Sequence, residues 1–424
     1  MHHVRRALIG AVSILSAAAL SALSLAEIPA IISNNSLDLR KKRIAMHIQG
    51  VDVGSQWMRF LPDITASGSY DLAASPVTNA QSVSAGLSST LSIGKDLFVG
   101  QAVDRLLYEN ARIAYEQFNE TTLYETIAVY IDVLKDKLSV EIALSNEQIS
   151  RTQYEFVKSK KQSGNASELD LINALAEYDN DVYTTQLARI TLESTIARLK
   201  QQLLLDDIES VADVELPLPF EPIALGPGTI PANARGLSAM RAASNALAVQ
   251  EITLTSSVLD RFVPTVTAAA SADWKKHTYY AGAWTRNRNI DVTLSLAFSL
   301  PLWDRNVYLN KMTKSMYAVE QAKADIELAR RTALKDITEN IKLHNNRIEL
   351  IPISQKRLKS AELNYKMMSE SYRLGVRSLI DFYVAEKRFR EAKRDFSFLQ
   401  YDILLLKAKI GLLLDDTYRY LPRK

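Results

Sequence analysis

Few residues of this 424-residue chain combine the types and the spacing that catalysis requires. Beyond residue 26 the histidines are His47, His277 and His344, and they fit no metal-ligand spacing. The chain has no cysteine, which excludes disulfides, thiolate metal sites, cysteine nucleophiles and a lipid-modified cysteine. Neither 226–228 (Gly-Pro-Gly) nor 94–96 (Gly-Lys-Asp) continues into a phosphate-binding loop, and no nucleophile elbow is present. The sequence therefore predicts a protein that is not an enzyme and that holds no cofactor and no metal.

The composition favours long helices and gives no electrostatic reason for a nucleic-acid partner. The chain has 51 basic and 48 acidic residues, a formal charge of +3. It has 14 glycines and 12 prolines, which is about half of the average share of roughly 7% and 5%. Because turn-forming residues are so few, we expect long uninterrupted helices.

The N-terminus is typical of a secretory signal peptide. Arg5 and Arg6 precede a mostly apolar stretch, and Ser24 and Ala26 supply the small residues of a cleavage site. We therefore predict a signal peptide at 1–26. An uncleaved membrane anchor is the alternative, since the stretch is about long enough to span a bilayer.

The chain contains an internal duplication. Segments 36–62 and 238–264 share a serine, an arginine, a phenylalanine and a proline at a constant offset of 202. The pairs are Ser55 and Ser257, Arg59 and Arg261, Phe60 and Phe262, and Pro62 and Pro264. We predict a first repeat at 27–215, a linker rich in proline and glycine at 216–235, a second repeat at 236–413 and a C-terminal tail at 414–424.

Each repeat begins with two predicted strands. Apolar and small polar residues alternate over about 63–71 and 82–94, and again over about 264–274 and 290–301. Strands of about ten residues with this pattern match those of transmembrane barrels, whose apolar face meets lipid. A half-buried soluble sheet is the alternative. Six aromatic residues near strand ends or in loops predict a membrane girdle: Tyr70, Trp274, Tyr279, Tyr280, Trp284 and Trp303.

Long helices follow each strand pair. They are predicted at about 101–162, 166–205, 306–374 and 377–413. The helices of each hairpin join at a break that contains Gly164 or Gly375, and we expect Pro352 to interrupt and kink its helix. From Phe382 to Leu413, apolar residues are spaced alternately by three and four positions, which is coiled-coil periodicity.

Four strands are too few to close a membrane barrel, whose known minimum is about eight, and lipid does not tolerate an open sheet edge. We therefore expect copies of the chain to pool their strands around a symmetry axis. Hairpins of about 90 Å exceed the roughly 30 Å membrane core and must extend into water. The predicted fold is mainly α with a small β part: a homotrimer with a 12-stranded membrane β-barrel continuous with a periplasmic α-helical barrel.

These features resemble the TolC-type outer-membrane efflux proteins, a family of trimeric channel-tunnels. The resemblance covers about residues 36–413 and rests on the duplicated order of two strands, helix, glycine turn and helix. It also rests on the proline before the first strand of each repeat and on 372–381 (YRLGVRSLID), which resembles the family's periplasmic tip. It implies a passive outer-membrane exit duct of a tripartite efflux or type I secretion system in a Gram-negative bacterium.

The resemblance also implies a gate and a docking surface at the periplasmic end. The gate positions that match the family are Tyr372, Arg377, Asp381 and Asp170. The tips that would dock an adaptor contain Gly164, Asn165, Leu374, Gly375 and Ser378. The implied partners are a periplasmic adaptor (membrane fusion protein), an inner-membrane pump and outer-membrane lipid. Where the family has a second aspartate one turn farther on, this chain has Val384.

Other interpretations stay open at this stage. Asp170 fits an ordinary helix N-terminal carboxylate stabilised by the helix dipole, and Arg377 fits a solvated surface charge. The whole chain fits a periplasmic coiled-coil scaffold or adaptor that has a soluble sheet and no channel. The cargo is not identified, because drugs, metal ions and secreted proteins leave through ducts of this plan.

Overall fold

The protein is mostly helical, with one four-stranded sheet. The computed structural model describes residues 23–74, 79–164, 166–205, 211–212, 220–223, 237–276, 279–280, 283–284, 290–300, 306–374 and 376–415. The helices are α1 Ile28–Asn35, α2 Leu37–Gly54, α3 Lys95–Gln162, α4 Glu168–Leu203, α5 Ser238–Leu259, α6 Val307–Arg373 and α7 Leu379–Leu413. The strands are β1 Asp63–Ala74, β2 Asn79–Ile93, β3 Thr265–Lys276, β4 Tyr279–Tyr280, β5 Ala283–Trp284 and β6 Ile290–Ser299. The predicted class, mainly α with a small β part, is confirmed.

The chain divides into two compact units, and each draws on both repeats. One unit, which we call the sheet unit, comprises 41–116 and 235–332. The other, the helical unit, comprises residues up to 40, 117–234 and 333 onwards. Among the described residues, no helix has both the length and the apolar character needed to cross a membrane.

The sheet is antiparallel, with the strand order β1-β2-β3-β6. Its register places Leu87 opposite Ala66 on one side and Ala272 on the other, and Ala272 in turn opposite Val292. Because side chains alternate between faces, the apolar residues of all four strands share one face. Hydroxyl groups lie on the opposite face, where Thr65 and Ser88 hydrogen-bond at 2.6 Å.

Four long helices of the helical unit contact one another in the order α4-α3-α7-α6. Arg198 of α4 pairs with Asp132 of α3 at 2.9 Å. Lys135 of α3 pairs with Asp402 of α7 at 2.6 Å, and Arg347 of α6 pairs with the same carboxylate at 2.5 Å. Partly exposed pairs of this kind each contribute about 1 kcal/mol or less to stability. They therefore show which helices are neighbours but add little to the stability of the unit.

Apolar packing along α7 supplies the stability of these helices. Half of the ten residues of the predicted coiled-coil pattern are buried, and they are Ala385, Ala392, Leu399, Ile403 and Ile410. The other five are partly buried and none is exposed. Burial of one large aliphatic side chain contributes about 1.5 to 3 kcal/mol. The predicted apolar face of α7 is therefore confirmed as its buried face.

The core thins out toward the ends of the hairpins. Between residues 144 and 184, the buried residues among those described are Ser150 and Ala174 alone. Between 345 and 384 the described residues include no buried one. Because local stability follows buried apolar contact, we expect the hairpin ends to open more readily than the core around Ile131 and Ile403, which are fully buried.

Two features of the helices differ from the sequence prediction. The predicted interruption at Pro352 is wrong, because α6 runs through it without a break. A proline removes one backbone hydrogen bond, and α6 contacts α7 on both sides of it, through Arg347 and Tyr365. The structure also contains α2 and α5, equivalent helices that precede the strands of each repeat and that were not predicted from the sequence.

Two polar side chains fasten extended segments to the helical unit. The buried Tyr130 hydroxyl lies 2.9 Å from the carbonyl oxygen of Leu23 and 2.6 Å from that of Ala212. The Asn345 amide both donates to and accepts from the backbone of Ile223, each at 2.9 Å. Residues 1–22 and most of the linker 216–235 lie outside the described residues. The signal peptide boundary therefore stays a prediction.

His344 makes the stability of the helical unit depend on pH. Its side chain is 1% exposed, and burial lowers its pKa from the ordinary value of 6.5, with Lys407 acting in the same direction. The unfolded chain therefore binds this proton at a higher pH than the folded chain, and the free energy of unfolding falls as the pH drops below about 6.5.

We expect the variant His344→Gln to lose this part of the pH dependence. Urea unfolding between pH 7 and pH 5 should show a smaller fall in unfolding free energy for the variant than for the wild type. The matched control is His47→Gln, since His47 is exposed, and it should keep the wild-type slope. An equal slope in wild type and His344→Gln would contradict the assignment.

Candidate functional site

The first hairpin tip is a tight turn followed by a reciprocal helix cap. Gly164 has a φ of +75°, a left-handed conformation that favours glycine. The Asp170 amide donates to Ser167 Oγ at 3.1 Å, and the Ser167 amide donates to Asp170 Oδ2 at 2.9 Å. The side chain and the backbone of Ser167 both lower the pKa of Asp170 through these hydrogen bonds. Asp170 is therefore a capping residue of α4.

The second tip has an equivalent cap. The Asp381 amide donates to Ser378 Oγ at 3.2 Å, and the Ser378 hydroxyl donates to Asp381 Oδ2 at 2.9 Å. The turn before it is closed by the Val376 amide, which donates to the Ser371 carbonyl at 2.9 Å. A Ser or Asp cap of this kind contributes about 1 kcal/mol. Both predicted gate carboxylates therefore have a structural role within one chain.

The caps leave the charge of both carboxylates at the tip surface. Asp170, Arg377 and Asp381 are all exposed. Within the described residues Arg377 forms no ion pair with Asp170 or Asp381. The helix N-termini favour the ionised carboxylates. A negative charge at each tip, and the positive charge of Arg377 at the second tip, are thus available to groups outside the chain.

A ladder of aromatic rings joins α6 to α7 behind the second tip. Tyr365 stacks on Phe389 with centroids 5.4 Å apart, and Tyr372 stacks on Phe382 at 5.7 Å. Tyr383 packs against Phe382 at 5.4 Å, and burial raises the pKa of its phenol to about 12. Because apolar burial is sparse here, these rings are the main contacts that hold the hairpin end together.

A groove of about 730 Å³ lies between the two hairpins near their tips. It brings together three predicted site residues of the second tip, Tyr372, Arg377 and Ser378, with Asp170 of the first. Its other charged lining residues are Lys160, Glu177, Asp181 and Lys387. Asp381 does not line it. Asp170 of the first tip and these residues of the second tip therefore line the same groove within one chain.

The second tip also presents apolar side chains to solvent. Leu374 is 67% exposed, Val376 72% and Ile380 61%. Asn165 and Gly375, the other predicted docking residues, lie outside the described residues. Exposed apolar side chains that cluster at a tip are typical of a contact surface. Sequence analysis did not single out Val376 and Ile380, although both belong to the tip segment.

The apolar face of the sheet is uncovered. On β6 the residues Ile290, Val292, Leu294, Leu296 and Phe298 are between 62% and 81% exposed. A soluble sheet would bury such a row against a core. This observation argues against the half-buried soluble sheet that the strand pattern alone left open.

Some of the predicted girdle residues can be placed on this sheet. Tyr70 is 58% exposed on β1, and Trp274 is partly exposed on β3, directly opposite Ile290. Tyr279 and Tyr280 form β4, and Trp284 ends β5. Trp303 lies outside the described residues. The girdle itself stays a prediction.

Comparison of the sequence with known proteins finds similarity to outer-membrane efflux proteins. Residues 230–412 match the family model described as outer membrane efflux protein. The outer membrane protein TolC of Escherichia coli K12 is 25% identical over 324 residues, which covers 71% of this chain and 63% of that protein. TolC of Salmonella enteritidis is 24% identical over 309 residues. The chain spans less than two thirds of the length of these relatives.

Solved structures share the fold over most of the chain. The Campylobacter jejuni CmeC outer membrane channel has a TM-score of 0.77 at 16% identity, with 92% of this chain and 85% of that one covered. The Vibrio cholerae outer membrane protein VceC has a TM-score of 0.73 at 13% identity, with 92% and 95% covered. The resemblance predicted from the duplication and the tip segment is confirmed: this chain is similar to the TolC-type outer-membrane efflux proteins, through a family match in its second repeat and through the fold of about nine tenths of its length.

Proposed function

We propose that this protein is a passive outer-membrane exit duct that works as a homotrimer in an efflux or type I secretion system of a Gram-negative bacterium. The uncovered apolar face of the sheet is the observation that supports this most strongly, because lipid is the solvent that such a face requires. The similarity to outer-membrane efflux proteins supports the same compartment.

The sheet edges support an assembly of several copies. Within the described chain β1 and β6 are the outer strands of the sheet, and each pairs on one side only. In lipid, unpaired backbone groups cost several kcal/mol each, so a membrane sheet must close on itself. Pairing β6 of one copy with β1 of the next closes a barrel, and three copies supply twelve strands, above the minimum of about eight.

The helical hairpins are proposed to form the periplasmic tunnel, with a gate at their tips. Tyr372, Arg377, Asp381 and Asp170 are the gate residues, and the exposed charges of Arg377 and Asp381 are available for links between copies. The scarcity of buried residues near the tips supports movement there. Opening would separate the tips while the α3, α6 and α7 core around Asp402 stays packed.

A periplasmic adaptor is proposed to dock on the tips, through the exposed Leu374, Val376 and Ile380 together with Gly164 and Ser378. Energy would come from an inner-membrane pump, because the sequence has no phosphate-binding loop. An enzyme is not supported, since the family matched and the folds shared are those of channel proteins. A periplasmic scaffold with a soluble sheet does not account for the exposed apolar row of β6.

The proposed assembly predicts how the protein behaves on extraction. The full chain should stay in the outer-membrane fraction until detergent is added, and it should then migrate as a trimer that resists SDS without heating. A protein that is released by salt or osmotic shock as a monomer would contradict the duct and favour the scaffold.

The proposed gate predicts a change in conductance. Replacing Tyr372 and Arg377 with serine should remove the stacking on Phe382 and one tip charge, and should raise single-channel conductance in planar bilayers severalfold. The control is Lys342→Ser, an exposed cation of α6 that is far from the tip, and it should conduct like the wild type. An unchanged conductance in the double variant would remove both residues from the gate.

A further inference from the structure

The segment 23–27, which precedes α1, is packed into the helical unit. The side chains of Leu23 and Leu25 are only 7% and 6% exposed, and Ile28 at the start of α1 is fully buried. A signal peptide cut after Ala26, as the sequence pattern predicts, would take Leu23 and Leu25 with it. The contacts of this segment therefore bear on where the chain is processed.

The backbone of Leu23 is paired with the segment that follows α4. Leu23 and Val211 form a parallel bridge, and the Ala212 amide donates to the Leu23 carbonyl at 2.9 Å. The hydroxyl of the fully buried Tyr130 lies 2.9 Å from the same carbonyl oxygen. Val211 is itself buried. Loss of Leu23 would take this acceptor from the Ala212 amide and would leave an apolar site beside Val211 unfilled.

Residues 24–27 form the turn that leads into α1. The Glu27 amide donates to the Ser24 carbonyl at 3.1 Å, and the Ser24 amide donates to a carboxylate oxygen of Glu27 at 3.2 Å. A chain that began at Glu27 would lose both hydrogen bonds and would place its α-ammonium group at the N-terminus of α1. Because that end of a helix carries a partial positive charge, a cation is unfavourable there.

The sequence offers cleavage positions upstream of Leu23. Signal peptides end in small residues at the first and third positions before the cut. Ala17 and Ala19 fit a cut after residue 19, and Ala19 and Ser21 fit a cut after residue 21. The stretch 7–16 then serves as the apolar region, within the usual length of roughly 7 to 15 residues. A complete signal peptide therefore fits upstream of Leu23.

We propose that the signal peptide is cut between Ala19 and Leu23. Residues 23–27 then remain in the mature protein as a strap, which joins the segment 211–212 to α3 through Tyr130. Signal peptidase would add water across one peptide bond of 19–23, so that the leader leaves with a new carboxylate and the mature chain begins with a new α-amino group. The proposal concerns maturation and does not depend on the proposed duct.

The N-terminus of the mature protein tests the proposal directly. The full-length gene product is purified from the cell envelope of a Gram-negative host, and its intact mass and N-terminal sequence are measured. The mature chain should begin at one of the residues 20–23. A chain that begins at Glu27 or at any other position, or a chain that is not cut, would overturn the proposal.

A variant at the predicted cleavage site separates the two cuts. Ala26 is exposed, so Ala26→Asp should fold, and a carboxylate before α1 suits the helix dipole. If the cut lies upstream, this variant should be processed like the wild type. If the cut follows Ala26, aspartate replaces the small residue that cleavage requires, and uncut precursor should accumulate, which would contradict the proposal.

A substitution at the neighbouring buried residue tests the strap. Leu25→Asp places a charge at a buried site, so it should lower the midpoint of heat unfolding, followed by circular dichroism, by roughly 3 °C or more, or prevent folded protein from accumulating. The matched control Ala26→Asp should keep the wild-type midpoint. If the leader included residue 25, mature Leu25→Asp would be identical to the wild type. An unchanged midpoint would therefore overturn the strap.

Discussion

The rest of the structure depends on one constraint, which lies in the four-stranded sheet. The chain itself neither covers the apolar face of this sheet nor pairs the outer edges of its outer strands. The row from Ile290 to Phe298 is exposed, and β1 and β6 each pair on one side only within the described residues. Apolar surface is costly in water, and unpaired backbone groups are costly in lipid. Lipid would cover the apolar face, and further copies of the chain would pair the edge strands. In the proposed duct, membrane insertion and assembly are therefore two consequences of one strand pattern.

In the proposed duct the helices meet a different requirement, which is to be firm in one region and able to open in another. Buried aliphatic residues and the shared carboxylate of Asp402 hold α3, α6 and α7 together. Toward the tips this packing gives way to stacked rings, helix caps and exposed charges. Ring stacking and caps contribute about 1 kcal/mol each. The hairpin ends are therefore held by a few contacts of modest strength.

Much of the fold could be predicted from sequence, because local backbone geometry sets the spacing of apolar residues along strands and coiled-coil helices. The alternation over 290–301 and the pattern from Phe382 to Leu413 both predicted which side chains share a face. Features that depend on contacts between distant residues could not be predicted. α6 continues through Pro352 and contacts α7 on both sides of it, through Arg347 and Tyr365. The hydrogen bonds of Asn345 with Ile223 join the linker to a helix far away in sequence. The alternative given for Asp170, a carboxylate at a helix N-terminus, agrees with its capping role, and Ser167 three residues before it completes the sequence signature of such a cap.

The central claim is that copies of this chain close their sheets into one barrel. Electron cryo-microscopy of the full-length protein, purified from outer membranes in detergent, tests it most directly. The account predicts a threefold particle in which β6 of each copy is hydrogen-bonded to β1 of the next and the apolar row of β6 faces the detergent belt. A monomer, or an assembly in which β1 and β6 stay unpaired, would contradict it.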